Sequence, residues 1–494
     1  MISREIMGPL MFGGLILFML IGYPVAFSLA AVGLFFGVIG IELGYFQLSL
    51  LQALPDRVFG IIANDLLLSI PFFTFMGAVL ERCGLAEDLL EATGQLFGPV
   101  RGGLAYAVIL VGALLGAITG TVAASVIAMG LISLPVMMRY GYNMRMATGV
   151  IAASGTITQL IPPSLVLIVL ADQLGKPVGD MYAGAIGPSI VQVLLFCAFV
   201  FIVSIFRPAS VPALPKEART LRGSALVVRA LWGMVPSLVL MFLVLGTILM
   251  GIATPTEGGA MGAVGAIALA AAHRRLTWDL LWQGMSSTMR ITAMVTFILI
   301  GSTVFGLVFR GMDGDLWIEN MLMSLPGGAT GFLIAVNVFI FLLAFFLDFF
   351  EIAFIVIPLL APVAAKLGID LIWFGVLLGA NMQTSFMHPP FGFALFYLRG
   401  VAPREVKSSD IYWGAVPWVV IQLLLVAIII FWPGLVTNFV PKPATVDPAK
   451  IEIQIEHSTP AAGPAIESGK SAPGTEQRTD DPASEIDRML RQQR

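Results

Sequence analysis

Ser154-Gly155-Thr156-Ile157-Thr158-Gln159-Leu160-Ile161-Pro162-Pro163 interrupts an otherwise apolar stretch, and Asn381-Met382-Gln383-Thr384-Ser385-Phe386-Met387-His388-Pro389-Pro390 does the same 227 residues later. A Pro-Pro pair withholds two backbone N–H groups and disfavours helix in the residue before it, so each apolar span is predicted to break there. Carbonyls freed on the preceding turn cannot stay bare in hydrocarbon. They must be buried in protein or bind something, and in carriers built from broken helices the usual occupant is Na⁺, with an anion near the helix N-termini.

The register of 227 extends well beyond these two runs. Gly84 meets Gly311, Asp88 meets Asp315, Leu89 meets Leu316 and Pro99 meets Pro326. Without a gap, Pro135-Val136 then meets Pro362-Val363, Arg139 meets Lys366, Gly141 meets Gly368 and Ala153 meets Ala380. One register over about 80 residues marks an internal repeat.

Composition sets the environment of that repeat. Of 494 residues, 58% are apolar and 12% charged, with mean hydropathy +0.94. About a quarter of a soluble chain's residues would be charged, so the class is all-α polytopic membrane protein. A net charge of −3 without a basic block excludes nucleic acid as a partner. Cys83 and Cys197 fit no metal or redox spacing, and three histidines, one in the tail, do not make a zinc site. No GxxxxGKS or GxxxxGKT pattern is present, so the chain does not itself hydrolyse ATP.

Residues 7–39 exceed one crossing and divide at Gly22-Tyr23-Pro24 into two short helices. No small-residue cleavage site follows a compact apolar region, so a removed signal peptide is not expected. Further spans are predicted over 66–82, 146–170, 181–206, 230–252, 256–272, 290–309, 371–398 and 411–432. Two longer apolar stretches, 103–139 and 330–366, carry polar or acidic residues halfway, at Thr119-Gly120-Thr121 and at Asp348. Both read as re-entrant hairpins that return to the side they entered from. More amphipathic segments near 45–62, 84–99, 276–289 and 311–326 are expected along the interface.

Threading these ten spans with the N-terminus outside puts 15 of the 20 Lys/Arg that precede the tail on the cytoplasmic side. Only Arg4, Arg57, Lys176, Arg310 and Lys366 fall outside. Residues 1–206 form the first repeat, with hairpin 103–139 and broken helix 146–170; 207–229 form a basic cytoplasmic loop. Residues 230–440 form the second repeat, with hairpin 330–366 and broken helix 371–398, and 441–494 read as a disordered tail. Five full spans per half make the second copy upside down, which is inverted-repeat transporter architecture.

The candidate substrate-contacting residues are Thr121 and Ser125 at the first hairpin tip, Asp348 at the second, and Ser154, Asn381 and Gln383 in the polar runs. Thr121 and Asp348 occupy equivalent places, and Glu351 follows Asp348 by one turn. An intramembrane acid is functional by default. Asp348 also reads as a helix cap, and the two roles are compatible. Thr254-Pro255-Thr256-Glu257 reads as a helix start, with Glu257 structural. His388 is either hydrogen-bonded or a group that binds an anion or carries a proton.

The chain resembles the large membrane subunit of tripartite ATP-independent periplasmic (TRAP) transporters over residues 5–440. The resemblance rests on Ser69-Ile70-Pro71-Phe72-Phe73, Gly120-Thr121-Val122-Ala123-Ala124-Ser125, Ala153-Ser154 through Ile161-Pro162-Pro163-Ser164, Ala253-Thr254-Pro255-Thr256-Glu257, and Phe346-Leu347-Asp348 through His388-Pro389-Pro390-Phe391-Gly392. It implies an elevator-type carrier in the bacterial inner membrane, driven by a Na⁺ gradient. A periplasmic substrate-binding protein delivers an organic acid, and a small four-helix membrane subunit braces the scaffold. One Na⁺ is implied at backbone oxygens of Thr119, Thr121, Thr158, Ile161 and Pro162, and a second at Ala344, Ser385, His388 and Phe391. The family usually has Gly where this chain has Thr158, Ala344 and Ser385, and Thr where it has His388, so a hydroxyl ligand is lost there. His388, Asp348-Phe349-Phe350-Glu351 and the run from Asn381 resemble a branch labelled for mannitol or chloroaromatic compounds, some of whose binding proteins take 2-oxo monocarboxylates or lactate.

Two other readings compete. A stand-alone ion-coupled carboxylate carrier would share the inverted repeats and need no binding protein. An intramembrane enzyme is the remote alternative, and it would need paired acids, a nucleophile dyad or a metal cluster at one depth.

Overall fold

The structure, a computed structural model, describes residues 4–119, 121–219 and 224–441. Gly120, the loop residues 220–223 and the expected tail from 442 onward lie outside the described residues. The described residues are helical throughout, without a strand.

The first half begins with α1 (Arg4–Leu20) and α2 (Val25–Glu42), separated at Gly22, whose φ is +91°, and Pro24. Short α3 (Ser49–Gln52) and α4 (Leu54–Ile62) precede α5 (Ser69–Arg82) and α6 (Leu85–Leu96). The first hairpin is α7 (Gly103–Thr119) and α8 (Val122–Arg139); the first broken helix is α9 (Met144–Thr156) and α10 (Leu165–Leu174), followed by α11 (Val178–Phe206). The second half opens with α12 (Ser224–Leu249), α13 (Pro255–Ala272), α14 (Trp278–Gly311) and α15 (Gly314–Met323). Its hairpin is α16 (Gly328–Leu343) and an arm made of α17 (Phe349–Glu351), a π-helical turn (Ile352–Val356) and α18 (Ile357–Lys366). The second broken helix, α19 (Leu371–Met382) and α20 (Phe393–Val401), leads to α21 (Ser408–Phe431) and α22 (Gly434–Thr437).

Shifting the first-half boundaries by 227 lands on second-half boundaries: Val122–Arg139 on Phe349–Lys366, Met144–Thr156 on Leu371–Gln383, and Leu165–Leu174 on Gly392–Val401. One pair breaks the rule. The expected interfacial segment 276–289 and span 290–309 form a single 34-residue helix, α14, whereas the matching α4 and α5 are separate. The reason is local: Asn64 Oδ1 accepts from Leu66 N at 2.9 Å and ends the first-half helix, and its counterpart at 291 is Ile, which has no such acceptor. A polar helix face is not a break.

Among the described residues, six helices are long and apolar enough to cross a bilayer, and two of them, Val122–Arg139 and Phe349–Lys366, are hairpin arms. Of the other expected spans, 146–170 and 371–398 are broken helices, 66–82 is the 14-residue α5, and 230–252 and 256–272 fall on α12 and α13, of 26 and 18 residues. Between α15 and α16 the chain turns by 118° at Gly327 and Gly328, both with positive φ, so α15 lies across the direction of the hairpin it feeds.

Two groups of helices emerge from the packing. α2, α5, α12, α13 and α14 pack on one another, with α2 against α14 and α13 against α5 as the closest pairs. The hairpins and broken helices form the other group, flanked by α11 and α21. There α9 and α21 approach so closely that a Cβ on Gly149 would lie 2.2 Å from the Gly414 carbonyl oxygen. Small residues permit such backbone contact in membrane helices.

Candidate functional site

Each hairpin packs on the broken helix of its own half and reaches across to the other. α7 lies on α9, and a Cβ on Gly112 or Gly116 would come within 2.6 Å of Ser154 or 2.8 Å of Thr158. α8 packs on α20, and in the other half the arm Phe349–Lys366 packs on α10. The 3-10 turn Gln383–Met387 of the second break rests on α9. Both polar runs and both hairpins therefore belong to one packed unit.

At the first break α9 ends at Thr156, a 3-10 turn covers Ile157–Gln159, and α10 starts only at Leu165. Both Pro162-Pro163 and Pro389-Pro390 are cis. Ser164 caps α10 by accepting from Val166 N at 3.2 Å, and it donates to the Gln159 carbonyl at 2.5 Å. Ser189 of α11 shares its hydroxyl between the carbonyls of Ala185 (2.7 Å) and Leu160 (3.1 Å), so it holds the break from outside. Inside, Ser154 Oγ, Thr158 Oγ1 and Gln159 Oε1 are buried and have no hydrogen-bond partner. Buried polar atoms are nearly always satisfied, so a cluster of exceptions marks a place for water or an ion. Thr121 stands in extended conformation between α7 and α8 and makes no capping bond, while Ser125, one turn on, is buried.

The second break repeats the pattern with different chemistry. Asn381 donates from Nδ2 to Asn337 O (2.8 Å) and Oδ1 (3.0 Å) on α16, and Thr384 donates to the Asn381 carbonyl at 2.7 Å. Asn381 Oδ1, both amide atoms of Gln383, and Ser385 Oγ are buried without partners. Asp348 forms a capping box with Glu351: Glu351 N donates to Asp348 Oδ1 (2.9 Å) and Asp348 N to Glu351 Oε2 (3.0 Å). The acid thus caps the arm, one of the two roles its position allowed. Thr254 and Glu257 make the same box at the start of α13, which gives Glu257 a structural place.

His388 is 1% exposed, with its ring centroid 4.3 Å from that of Phe341 and 4.2 Å from that of Phe345. Neither ring nitrogen completes a hydrogen bond of good geometry. Ala344 is buried beside it, whereas Phe391 is exposed and meets Phe346 at 6.3 Å.

Comparison with known proteins decides the family. The family model described as "Tripartite ATP-independent periplasmic transporter, DctM component" matches residues 12–435. The chain belongs to the TRAP transporter large-permease family. It is 30% identical to the C4-dicarboxylate TRAP transporter large permease protein DctM of Pseudomonas aeruginosa, over 78% of this chain and 88% of that protein. It is 26% identical to the 2,3-diketo-L-gulonate TRAP transporter large permease protein YiaN of Escherichia coli, over 75% of this chain and 85% of that one. In fold it is similar to the crystal structure of the Alcanivorax borkumensis YdaH transporter, at TM-score 0.55 and 14% identity over 80% of this chain and 90% of that chain. This TRAP subunit is a multi-pass membrane transporter component and not an enzyme; its relatives are named as permeases.

Among the buried polar residues that escaped the sequence reading are Asn337, Ser189 and Gln422. Gln422 of α21 is fully buried and bonds to Thr156. A lone amide in a 24-residue apolar helix was the available signal, because such a group is costly in hydrocarbon unless it is used.

Proposed function

We propose that this chain is the large subunit of a Na⁺-driven, binding-protein-dependent TRAP transporter that imports an organic acid across the bacterial inner membrane. The observation that carries the reading is the pair of polar breaks, 227 residues apart, each lined by buried oxygen and amide groups without protein partners. Cations suit the oxygens of the first break, among them Thr158 and the carbonyls of Ile161 and Pro162. The second break offers Ala344, Ser385, His388 and Phe391, with an imidazole where the family has a hydroxyl. Asp348 is engaged in its capping box, so the substrate carboxylate is held by neutral donors: Thr121, Ser125, Ser154, Asn381 and Gln383. The relatives' named substrates support a carboxylate, and the resemblance of the second break favours a 2-oxo monocarboxylate or lactate. Inverted repeats of five spans and one hairpin let the hairpin unit slide against α2, α5, α13 and α14 as an elevator. The small four-helix subunit supports that scaffold in the lipid bilayer, and the periplasmic binding protein delivers the acid.

The test is uptake into proteoliposomes that hold the chain with its small subunit, with and without the binding protein, under a Na⁺ or a K⁺ gradient. Expected is uptake only with Na⁺ and binding protein together. Equal uptake in K⁺ would remove the coupling, and uptake without binding protein would favour the stand-alone carrier.

A further inference from the structure

The five basic residues that the charge threading leaves outside are exceptions to the usual bias and invite an account. Two of them are used structurally. Arg4 pairs with Asp313 at 2.8 Å, and Lys366 pairs with Glu319. Of the other three, Arg57 and Arg310 line the same cleft, although 253 residues separate them. Among the described residues Arg57 makes no hydrogen bond or ion pair, and Arg310 bonds only from Nε to the Gly306 carbonyl of its own helix at 3.2 Å.

The cleft has a volume of about 370 Å³, within the roughly 300–1,000 Å³ range of small-molecule sites. It runs between α4 and α14 on one side and the second hairpin arm on the other, with Gln173 of α10 at its edge and Thr303 on its wall. Its acids are Asp315 and Glu319, and Lys366 already neutralises Glu319. Asp172, next to Gln173, is bound by Asn64 Nδ2 and Gln173 Nε2, each at 2.8 Å. Two arginines therefore share the cleft with one carboxylate, Asp315, that has no partner among the described residues. The floor includes Phe354 of the π-helical turn, which stacks on Phe350 at 6.2 Å, two residues from Asp348. That turn has no counterpart in the first half, where the same stretch of α8 is regular helix. Pro358 accounts for it, because it supplies no N–H to the turn before it. The lining on this arm thus runs from Phe354 to Val363, and Phe354 is one ring contact from Phe350 beside the second hairpin tip.

We propose that this cleft is an outer binding site for a small carboxylate, held by Arg57 and Arg310, through which the acid reaches the broken helices. The proposal rests on the carrier reading above. A guanidinium presents paired donors that match a carboxylate, and a cleft with low-dielectric walls concentrates ions of opposite charge. The apolar floor suits the carbon body of the acid.

The test reads the field in the cleft directly. In the full complex in membrane vesicles, with Cys83 and Cys197 replaced by alanine, Thr303→Cys supplies a thiol in the wall. Its rates with a sulfonate-bearing and a trimethylammonium-bearing methanethiosulfonate are each normalised to free 2-mercaptoethanol. The negative reagent should react about tenfold faster, the low end of what focusing clefts achieve. Arg57→Gln with Arg310→Gln should bring the ratio near one, and Lys176→Gln should leave it unchanged. Pyruvate or succinate should slow the labelling only while the arginines are present. Gln173→Cys provides a second reporter at the edge. Equal rates, a ratio indifferent to the arginines, or two unreactive thiols would overturn the site. Protection by the binding protein but by neither carboxylate would make the arginines a protein-docking surface and also overturn it. Labelling needs no transport, so a failure of Na⁺ coupling would register separately.

Discussion

Gln422 donates from Nε2 to Thr156 Oγ1 at 2.9 Å across 266 positions of sequence, with both side chains fully buried. The Thr156 hydroxyl in turn donates to the Ala153 carbonyl at 2.9 Å, so α21 grips α9 at its last turn before the break. The brace is one-sided. Shifted by 227, Thr156 becomes Gln383, and Gln422 corresponds to Leu195.

Gln422→Leu should loosen the first break without touching its carbonyls. Loss of one buried hydrogen bond costs about 1–2 kcal/mol, and 1.4 kcal/mol is tenfold in an equilibrium constant. Half-saturating Na⁺ for uptake should therefore rise severalfold while the rate at saturating Na⁺ is kept. Thr156→Val removes the acceptor, and adding it to Gln422→Leu should cost little more. An unchanged Na⁺ titration with a lowered melting temperature would leave Gln422 with a purely structural role.

The second half has a tie of its own, between Asn381 on α19 and Asn337 on α16, where the first half has Ser154 and Leu110. Asn337→Leu removes the Oδ1 acceptor but leaves Asn381 Nδ2 the Asn337 backbone carbonyl at 2.8 Å, so it should destabilise the subunit by about 0.5–1.5 kcal/mol, the net worth of one hydrogen bond. Grafting the first-half pair, Asn337→Leu with Asn381→Ser, should recover much of that loss. Thermal unfolding of the complex in detergent reads both, and a double variant less stable than the single one would contradict the exchange.

The breaks, the hairpin turns and the capping residues were legible because Pro-Pro, Gly and Asx/Thr-x-x-Glu patterns act within a turn of themselves. Asp348 and Glu351 are an example: three residues apart, they close a box that local chemistry dictates. The braces were not legible, since nothing near Thr156 points to Gln422, and nothing near Leu160 points to Ser189. The length of α14 was misread for another reason. The amphipathic pattern of 276–289 reports which face meets water, and only a capping or breaking residue such as Asn64 reports where a helix stops.

Asn64 also joins the two helix groups, through its 2.8 Å bond to Asp172 on α10, and Thr256 holds the adjoining Asp65 carbonyl at 2.6 Å. If the hairpin unit slides past the scaffold, this bridge breaks in every cycle. Asn64→Ala should then shift the balance between conformations by a factor of about 2–10, the worth of one net hydrogen bond of roughly 0.5–1.5 kcal/mol. Double electron–electron resonance between spin labels on α4 and α10 would report that shift as a change in population. Identical distance distributions with and without Asn64 would mean that the bridge does not distinguish the states.

The proposed inversion of the second half makes the most direct prediction, because Arg139 and Lys366 end equivalent hairpin arms and are each followed by a left-handed glycine, Gly141 with φ +76° and Gly368 with φ +71°. Under the proposed topology, five full spans between equivalent points would put the two turns on opposite faces of the membrane, the first with the cytoplasmic cations and the second outside. Lys366 is committed to Glu319, so its exposed neighbour Ala365 is the better reporter. With Cys83 and Cys197 replaced by alanine, Arg139→Cys should react with a membrane-impermeant maleimide only in inside-out vesicles, and Ala365→Cys only in intact spheroplasts. Labelling of both from one face would refute the inverted repeat, and with it the elevator that the repeat makes possible.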